Sequence, residues 1–291
     1  MTGSAPAAVE PQSKIRGPVS TGDPESKIER SIRGINLRAS LALVGWLAVG
    51  YPQRDSYRQL IPALLEGGFD LMEIGVPFSD PLADGPTIQR ASTTALSNGT
   101  TLRDCIDAVR NLRAEGIAAP LVFMSYYNPI LAMGLDQFAG AAAEAGLDGL
   151  IVPDLPPEES DELLQVLEPA GIDPIFLVAP TSTDDRLAAV AARARGFIYC
   201  VSLTGVTGAR QDLTTGLPEY LARVRRHTDL PLVVGFGVSR PEHVQSLRQA
   251  ADGAVVGSAI VDLLERTPAP QHAQALHHYA ASLRAAAGPR P

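Results

Sequence analysis

Eight short apolar runs, each bounded by Gly, Pro or Asp, constrain this chain more than any other feature. They read LALVGWLAV (41–49), DLMEIGV (70–76), PLVFMSYY (120–127), GLIVPD (149–154), DPIFLVAP (173–180), FIYCVS (197–202), PLVVGFGV (231–238) and DGAVVGSA (252–259). Between them lie stretches with helical spacing, such as PEESDELLQVLEPAG and TDDRLAAVAARARG. Runs bounded in this way read as buried parallel strands, and eight strand-helix units in succession mark a sheet closed on itself. An open doubly wound sheet rarely needs eight evenly spaced strands. The expected fold is α/β, one (β/α)8 TIM barrel over residues 23–291 with an N-terminal helix from about Asp23 to Arg38 and short extra helices. Residues 1–22 are rich in Ser, Pro, Gly and Ala without an apolar centre and read as a disordered extension.

Charge and residue inventory narrow the chemistry. A formal charge of −8 with no basic stretch beyond RVRRH (223–227) argues against nucleic acid as a partner. No segment approaches the ~18 consecutive apolar residues of a membrane span, so no membrane partner is expected. Cys105 and Cys200 stand in different element types, which suggests neither a disulfide framework nor a metal cluster and fits a reducing cytoplasm. The lysines, Lys14 and Lys27, precede the first strand, so no barrel amine is available for a Schiff base. The histidines (His227, His243, His272, His277 and His278) fall late, in segments that read as helices or their ends, so neither a metal site nor a histidine base is expected. Carboxylates and tyrosines remain.

Period two then assigns the interior face. Leu71, Glu73 and Gly75 share it on the second strand, Val122, Met124 and Tyr126 on the third, Phe197, Tyr199 and Val201 on the sixth. Trp46, Ile151 and Leu177 hold matching late positions on the first, fourth and fifth strands. Together they predict an apolar pocket at the mouth, with Glu73 and tyrosine hydroxyls as its few polar groups. A carboxylate in such a wall is costly unless it is used.

Glycine-bearing segments end the last three strands: GVTGA (205–209), GFGVS (235–239) and the Gly257-Ser258 pair. In barrels of this kind, the loops after strands seven and eight and the start of a short helix make a recurrent anion site. Gly257 and Ser258 are placed at that helix start, where unpaired N–H groups and the positive dipole end meet a phosphate, while Gly208 and Gly237 let backbone approach closely. The expected substrate is a small phosphorylated molecule with an apolar or aromatic remainder.

LMEIGVPFSDPLADGPTIQ (71–89), FMSYYNPI (123–130), GLIVPDLPPEES (149–160), YCVSLTGVTGAR (199–210) and GFGVS resemble the tryptophan synthase alpha subunit family, in the family's order from about Ala42 to about Ile260. The resemblance implies aldol-type cleavage of indole-3-glycerol phosphate to indole and D-glyceraldehyde 3-phosphate, a lyase step of tryptophan biosynthesis, with no cofactor on this chain. It also implies a beta-subunit partner in an alpha2beta2-type heterotetramer, carrying pyridoxal phosphate, with Asp80 and Asn128 toward the interface. The family's catalytic glutamate falls on Glu73, its indole-holding aspartate on Asp84 and the neighbouring tyrosine on Tyr199. Its phosphate-binding positions fall on Gly208, Gly237, Gly257 and Ser258; Trp46, Met124, Tyr126, Ile151 and Leu177 are the expected indole pocket. The loops after the second and sixth strands are the expected lids, with Thr207 bridging to Asp84 on closure.

Some positions depart from the resemblance. Trp46 stands where a smaller aromatic is expected, Gly45 where proline is common and Leu203 where a polar or basic residue is frequent. These changes bear on pocket size and coupling to a partner. Two other readings stay open: a stand-alone lyase of the same substrate serving specialised metabolism, and a non-catalytic regulatory subunit. The neighbouring indole-glycerol phosphate synthase chemistry is expected to need a barrel lysine, which this chain lacks.

Overall fold

A computed structural model describes residues 25–201, 216–235 and 237–289. The expected N-terminal extension, Thr207, Gly208 and Leu203 lie outside the described residues. The strands β1 (Ala42–Ala48), β2 (Leu71–Gly75), β3 (Leu121–Met124), β4 (Gly149–Ile151), β5 (Asp173–Val178), β6 (Ile198–Val201), β7 (Leu232–Gly235) and β8 (Gly253–Val256) form one closed barrel in sequence order. All neighbouring pairs are parallel, and β1 closes the ring against β8.

The barrel is preceded by α1 (Lys27–Asn36). Around it lie α2 (Tyr57–Gly67), α3 (Pro86–Ser97), α4 (Leu102–Ala114), α5 (Tyr127–Met133), α6 (Leu135–Ala145), α7 (Asp161–Ala170), α8 (Asp184–Ala191), α9 (Leu217–Arg225), α10 (Pro241–Leu247), α11 (Ser258–Arg266) and α12 (His272–Ala287).

Most strands are shorter than the apolar runs that announced them. β4 ends at Ile151 although the run continues to Asp154, and Pro153 in that run has no N–H to extend the ladder. β3 ends at Met124, so the alternation expected to reach Tyr126 stops two residues early. Helix α1 begins at Lys27 rather than near Asp23, because the Ser26 hydroxyl accepts the Glu29 N–H at 3.1 Å and caps it there.

Inward side chains make one apolar cluster: Ala42, Val44, Leu71, Val122, Ile151, Ile175, Phe197, Tyr199, Val233 and Val255. Helix α1 contributes Ile28, Ile32 and Ile35 to the same cluster, at spacings that put them on one helix face. Ile28 lies against the first residue of β4 and against Gly196, just before β6, so α1 plugs the amino end of the barrel. Each buried isoleucine contributes about 1.5–3 kcal/mol relative to exposure. Lys27 pairs with Asp148 at 2.9 Å and holds the plug in place. Among the described residues, the carboxyl end is the one that α1 leaves open.

Outside the strands, α12 closes the shell. Its Arg284 donates to the Gly68 carbonyl at 2.9 and 2.8 Å and pairs with the buried Asp70, whose carboxylate also accepts the Leu43 N–H at 2.8 Å. That network ties the last helix to the starts of the first two strands.

Candidate active site

Glu73 is the central residue of β2 and lies level with Trp46 on β1 and Val122 on β3. It shares the parity of Leu71, which belongs to the interior cluster, so its side chain enters the barrel. It is 0% exposed, and neither carboxylate oxygen finds a hydrogen-bond partner among the described residues. Burial lifts its pKa from 4.5 to about 8. The group is thus a neutral acid at neutral pH, and its conjugate base becomes accessible when something beside it changes charge.

Asp84 comes from the loop between β2 and α3, and this loop is tied down at several points. Pro86 opens α3 and Gly85 caps it, which fixes where the loop ends. Gln89 donates to the Asp84 carbonyl at 2.9 Å and to the Pro81 carbonyl at 3.3 Å. The Tyr126 hydroxyl accepts the Ala83 N–H at 2.9 Å and hydrogen-bonds the Asp84 carboxylate. Burial raises the Asp84 pKa to about 6 and Tyr126 draws it down, so at neutral pH this second acid is ionised. Two carboxyl groups therefore sit in unlike surroundings and hold opposite protonation states near pH 7.

Tyr199 completes the polar set. Its hydroxyl pKa stands well above the ordinary tyrosine value, through burial first and then the charges of Glu73 and Asp84, which places the three groups in one electrostatic neighbourhood. The ring lies over β7: a Cβ built on Gly235 would come within 2.2 Å of Tyr199 Cε1. Met124, Leu177 and Val201 are partly exposed and pack on the interior cluster, forming the apolar rim of the mouth, while Ile151 is fully buried beneath them. Trp46 leans across the mouth, with its Cζ2 2.5 Å from where a Gly75 Cβ would stand.

Of the residues expected at the phosphate end, Gly237, Gly257 and Ser258 are described. Ser258 is the first residue of α11 and Gly257 its cap, so the Ser258 and Ala259 N–H groups precede the helix's first internal bond. Gly237 has φ of 86°, a backbone that favours glycine. Two side chains hold the turn that follows it. His243 on α10 makes a ring-nitrogen contact of 3.1 Å with the Gly237 carbonyl, and the Tyr279 hydroxyl on α12 donates to the Ser239 carbonyl at 2.9 Å. Surface depressions lined by Pro218, Arg225 and Gln249 and by Asn36 and Arg248 lie at the amino end, away from these groups.

The model of the family described as tryptophan synthase alpha chain matches residues 34–287. The chain belongs to the tryptophan synthase alpha chain family. A relative with that name from Roseiflexus sp. (strain RS-1) is 51% identical, over 89% of this chain and 99% of its own length. One from Geobacter sulfurreducens is 45% identical, over 90% and 99%. Among solved structures, a Mycobacterium tuberculosis tryptophan synthase has a TM-score of 0.83 at 39% identity, covering 92% of this chain and 100% of that one. The alpha subunit from Legionella pneumophila str. Paris has a TM-score of 0.81 at 34% identity, covering 90% and 98%.

In this member of the alpha chain family, sequence reasoning missed the parts that act through others. Tyr126, expected on the third strand, follows the end of β3. Its ring stacks on Phe78 at 5.2 Å between centroids, and its hydroxyl serves the Asp84 loop from the cap of α5. Gln89 stood in a quoted motif without a role, and its clamp on the Asp84 carbonyl appears only when α3 folds back over the loop. Gly75, expected on the interior face, and Gly235, in the GFGVS segment, each make room for an aromatic ring from the neighbouring strand.

Proposed function

We propose that this chain cleaves indole-3-glycerol phosphate to indole and D-glyceraldehyde 3-phosphate, acting as the alpha subunit of tryptophan synthase in L-tryptophan biosynthesis. The observation that carries the reading is Glu73: a fully buried acid with its pKa near 8, whose charge and that of an ionised Asp84 both act on Tyr199 at the open end of the barrel.

Protonated Glu73 delivers its proton to indole C3. The ring takes positive charge, and the Asp84 carboxylate accepts the ring N–H and stabilises that charge as it forms. Ionised Glu73 then removes the proton of the hydroxyl on the adjoining carbon. The electron pair of the bond from C3 to that carbon returns to the ring, the carbon–oxygen bond becomes a carbonyl, and Glu73 regains its proton. Tyr199, with its proton held by burial, stays a neutral donor beside this exchange. The phosphate rests on the N–H groups at the start of α11 and on the Gly237 turn, with Gly208 contributing from the segment outside the described residues, and Thr207 of that segment bridges to Asp84 on closure.

We expect no cofactor on this chain. Lys14 and Lys27 are its lysines; Lys14 lies outside the described residues and Lys27 is engaged with Asp148 at the closed end, so the described mouth offers no amine for pyridoxal phosphate. That group belongs to the beta subunit of an alpha2beta2-type assembly. Exposed Asp80, Asn128 and Leu131, with Leu82 94% exposed at the tip of the Asp84 loop, support docking at the mouth. No described helix is long and apolar enough to cross a membrane. We expect the complex in the cytoplasm.

Indole release from indole-3-glycerol phosphate by the purified chain, with and without beta subunit, tests the reading. Release by the wild type and its loss in Glu73→Gln are expected. Absence of release even with beta subunit present would overturn it.

A further inference from the structure

Trp46 carries a hydrogen-bond donor that none of the described residues uses. The residue is 4% exposed, and its Nε1–H finds no partner among the described residues. A fold seldom leaves a buried donor orphaned, because its lost hydration is not compensated. The same holds for both oxygens of Glu73, its neighbour across the β1–β2 ladder. A donor and two acceptors without partners among the described residues thus stand at one register level of adjacent strands.

The course of the Trp46 ring is defined by the glycines beside it. At its root, Trp46 Cβ would lie 3.4 Å from a Cβ on Gly257, the cap of the helix expected to hold phosphate. At its far edge, Cζ2, Cε2 and Nε1 would lie 2.5, 2.9 and 3.2 Å from a Cβ on Gly75, one inward position beyond Glu73 on β2. The ring therefore spans from the phosphate end to the proton-transfer end. A molecule held at both ends lays the segment between them along the Trp46 ring, with that ring's indole N–H at the edge nearest the proton transfer. In indole-3-glycerol phosphate that segment is a three-carbon chain whose hydroxyl oxygens accept hydrogen bonds.

We propose that Trp46 is a substrate-contacting residue whose Nε1–H donates to a hydroxyl oxygen of the glycerol segment, selecting substrates with an oxygen at that point. This rests on the lyase reading above. A phenylalanine would fill part of the space without the donor, so the selectivity lies in the nitrogen rather than in the ring.

The chain has 1 tryptophan, so indole-15N labelling yields a single indole N–H resonance that reports on Trp46 alone. Titration with glycerol 3-phosphate, which has the phosphate and polyol without the aromatic ring, should move that resonance downfield saturably. Biosynthetic replacement of Trp46 by 3-benzothienylalanine, nearly the same shape without the N–H, should weaken glycerol 3-phosphate binding by about three- to tenfold, the worth of one neutral hydrogen bond. Calorimetric binding with an unmoved resonance, or equal affinity in the isosteric protein, would overturn the assignment and leave the lyase reading intact. No binding of glycerol 3-phosphate at all would overturn it too. Loss of the lyase reading has its own signature, the absence of indole release.

Discussion

The Tyr126 hydroxyl accepts the backbone N–H of Ala83 at 2.9 Å, and through that bond the cap of α5 holds the loop that carries Asp84. The same hydroxyl lowers the Asp84 pKa against the upward push of burial. Tyr126→Phe should therefore raise that pKa above about 6 and move the acid limb of the kcat/KM profile to higher pH. A pH–rate series on the wild type and the variant checks this. An unmoved acid limb would show that Asp84 does not govern it.

The wild-type profile itself has an expected shape. Activity needs Asp84 ionised and Glu73 protonated, so kcat/KM should fall below about pH 6 and above about pH 8. Glu73→Gln should cost about 10² to 10⁴ in kcat, measured as indole release.

Stability should respond to Glu73 with the opposite sign from most carboxylates. Its pKa is 4.5 ordinarily and about 8 in the fold, so between those values the unfolded chain has released the proton that the folded chain keeps. The fold loses stability as pH rises through that window, and the full cost is reached above it. Glu73→Gln removes this slope and should gain on the wild type from pH 5 to pH 9, by on the order of 1.4 kcal/mol for each pH unit of that window. Urea midpoints at the two pH values measure it; parallel midpoints would place Glu73 in contact with water.

Gly235 leaves space for the Tyr199 ring, and a Cβ there would stand 2.3 Å from the hydroxyl oxygen. Gly235→Ala should destabilise by about 1–3 kcal/mol through overpacking and displace Tyr199 from the mouth. In a Tyr199→Leu background the same substitution should cost far less. A double-mutant cycle by urea denaturation reads the coupling, and additive costs would refute it.

Arg284 and Asp70 form a buried ion pair far from the mouth. Arg284→Met should cost about 3–5 kcal/mol, because Asp70 is left as a buried charge without its partner. Adding Asp70→Asn should recover much of that, since the amide oxygen still accepts the Leu43 N–H and no charge remains. Urea midpoints of the single and double variants decide the matter.

By itself the sequence determined the barrel, its strand order and the candidate acids. Apolar runs of strand length at regular intervals leave few other ways to bury both faces of each strand, and period two turns Glu73 inward whatever the loops do. The tertiary structure decided how those acids are tuned. That Tyr126 leaves the strand and turns its hydroxyl to Ala83 depends on β3 stopping at Met124, and that Gln89 clamps Asp84 depends on the angle at which α3 leaves its loop. The polar atoms of Trp46 and Glu73 that lack partners among the described residues are equally invisible in the sequence. Burial and hydrogen bonding are sums over neighbours from distant parts of the chain, and local sequence patterns hold no record of who those neighbours are.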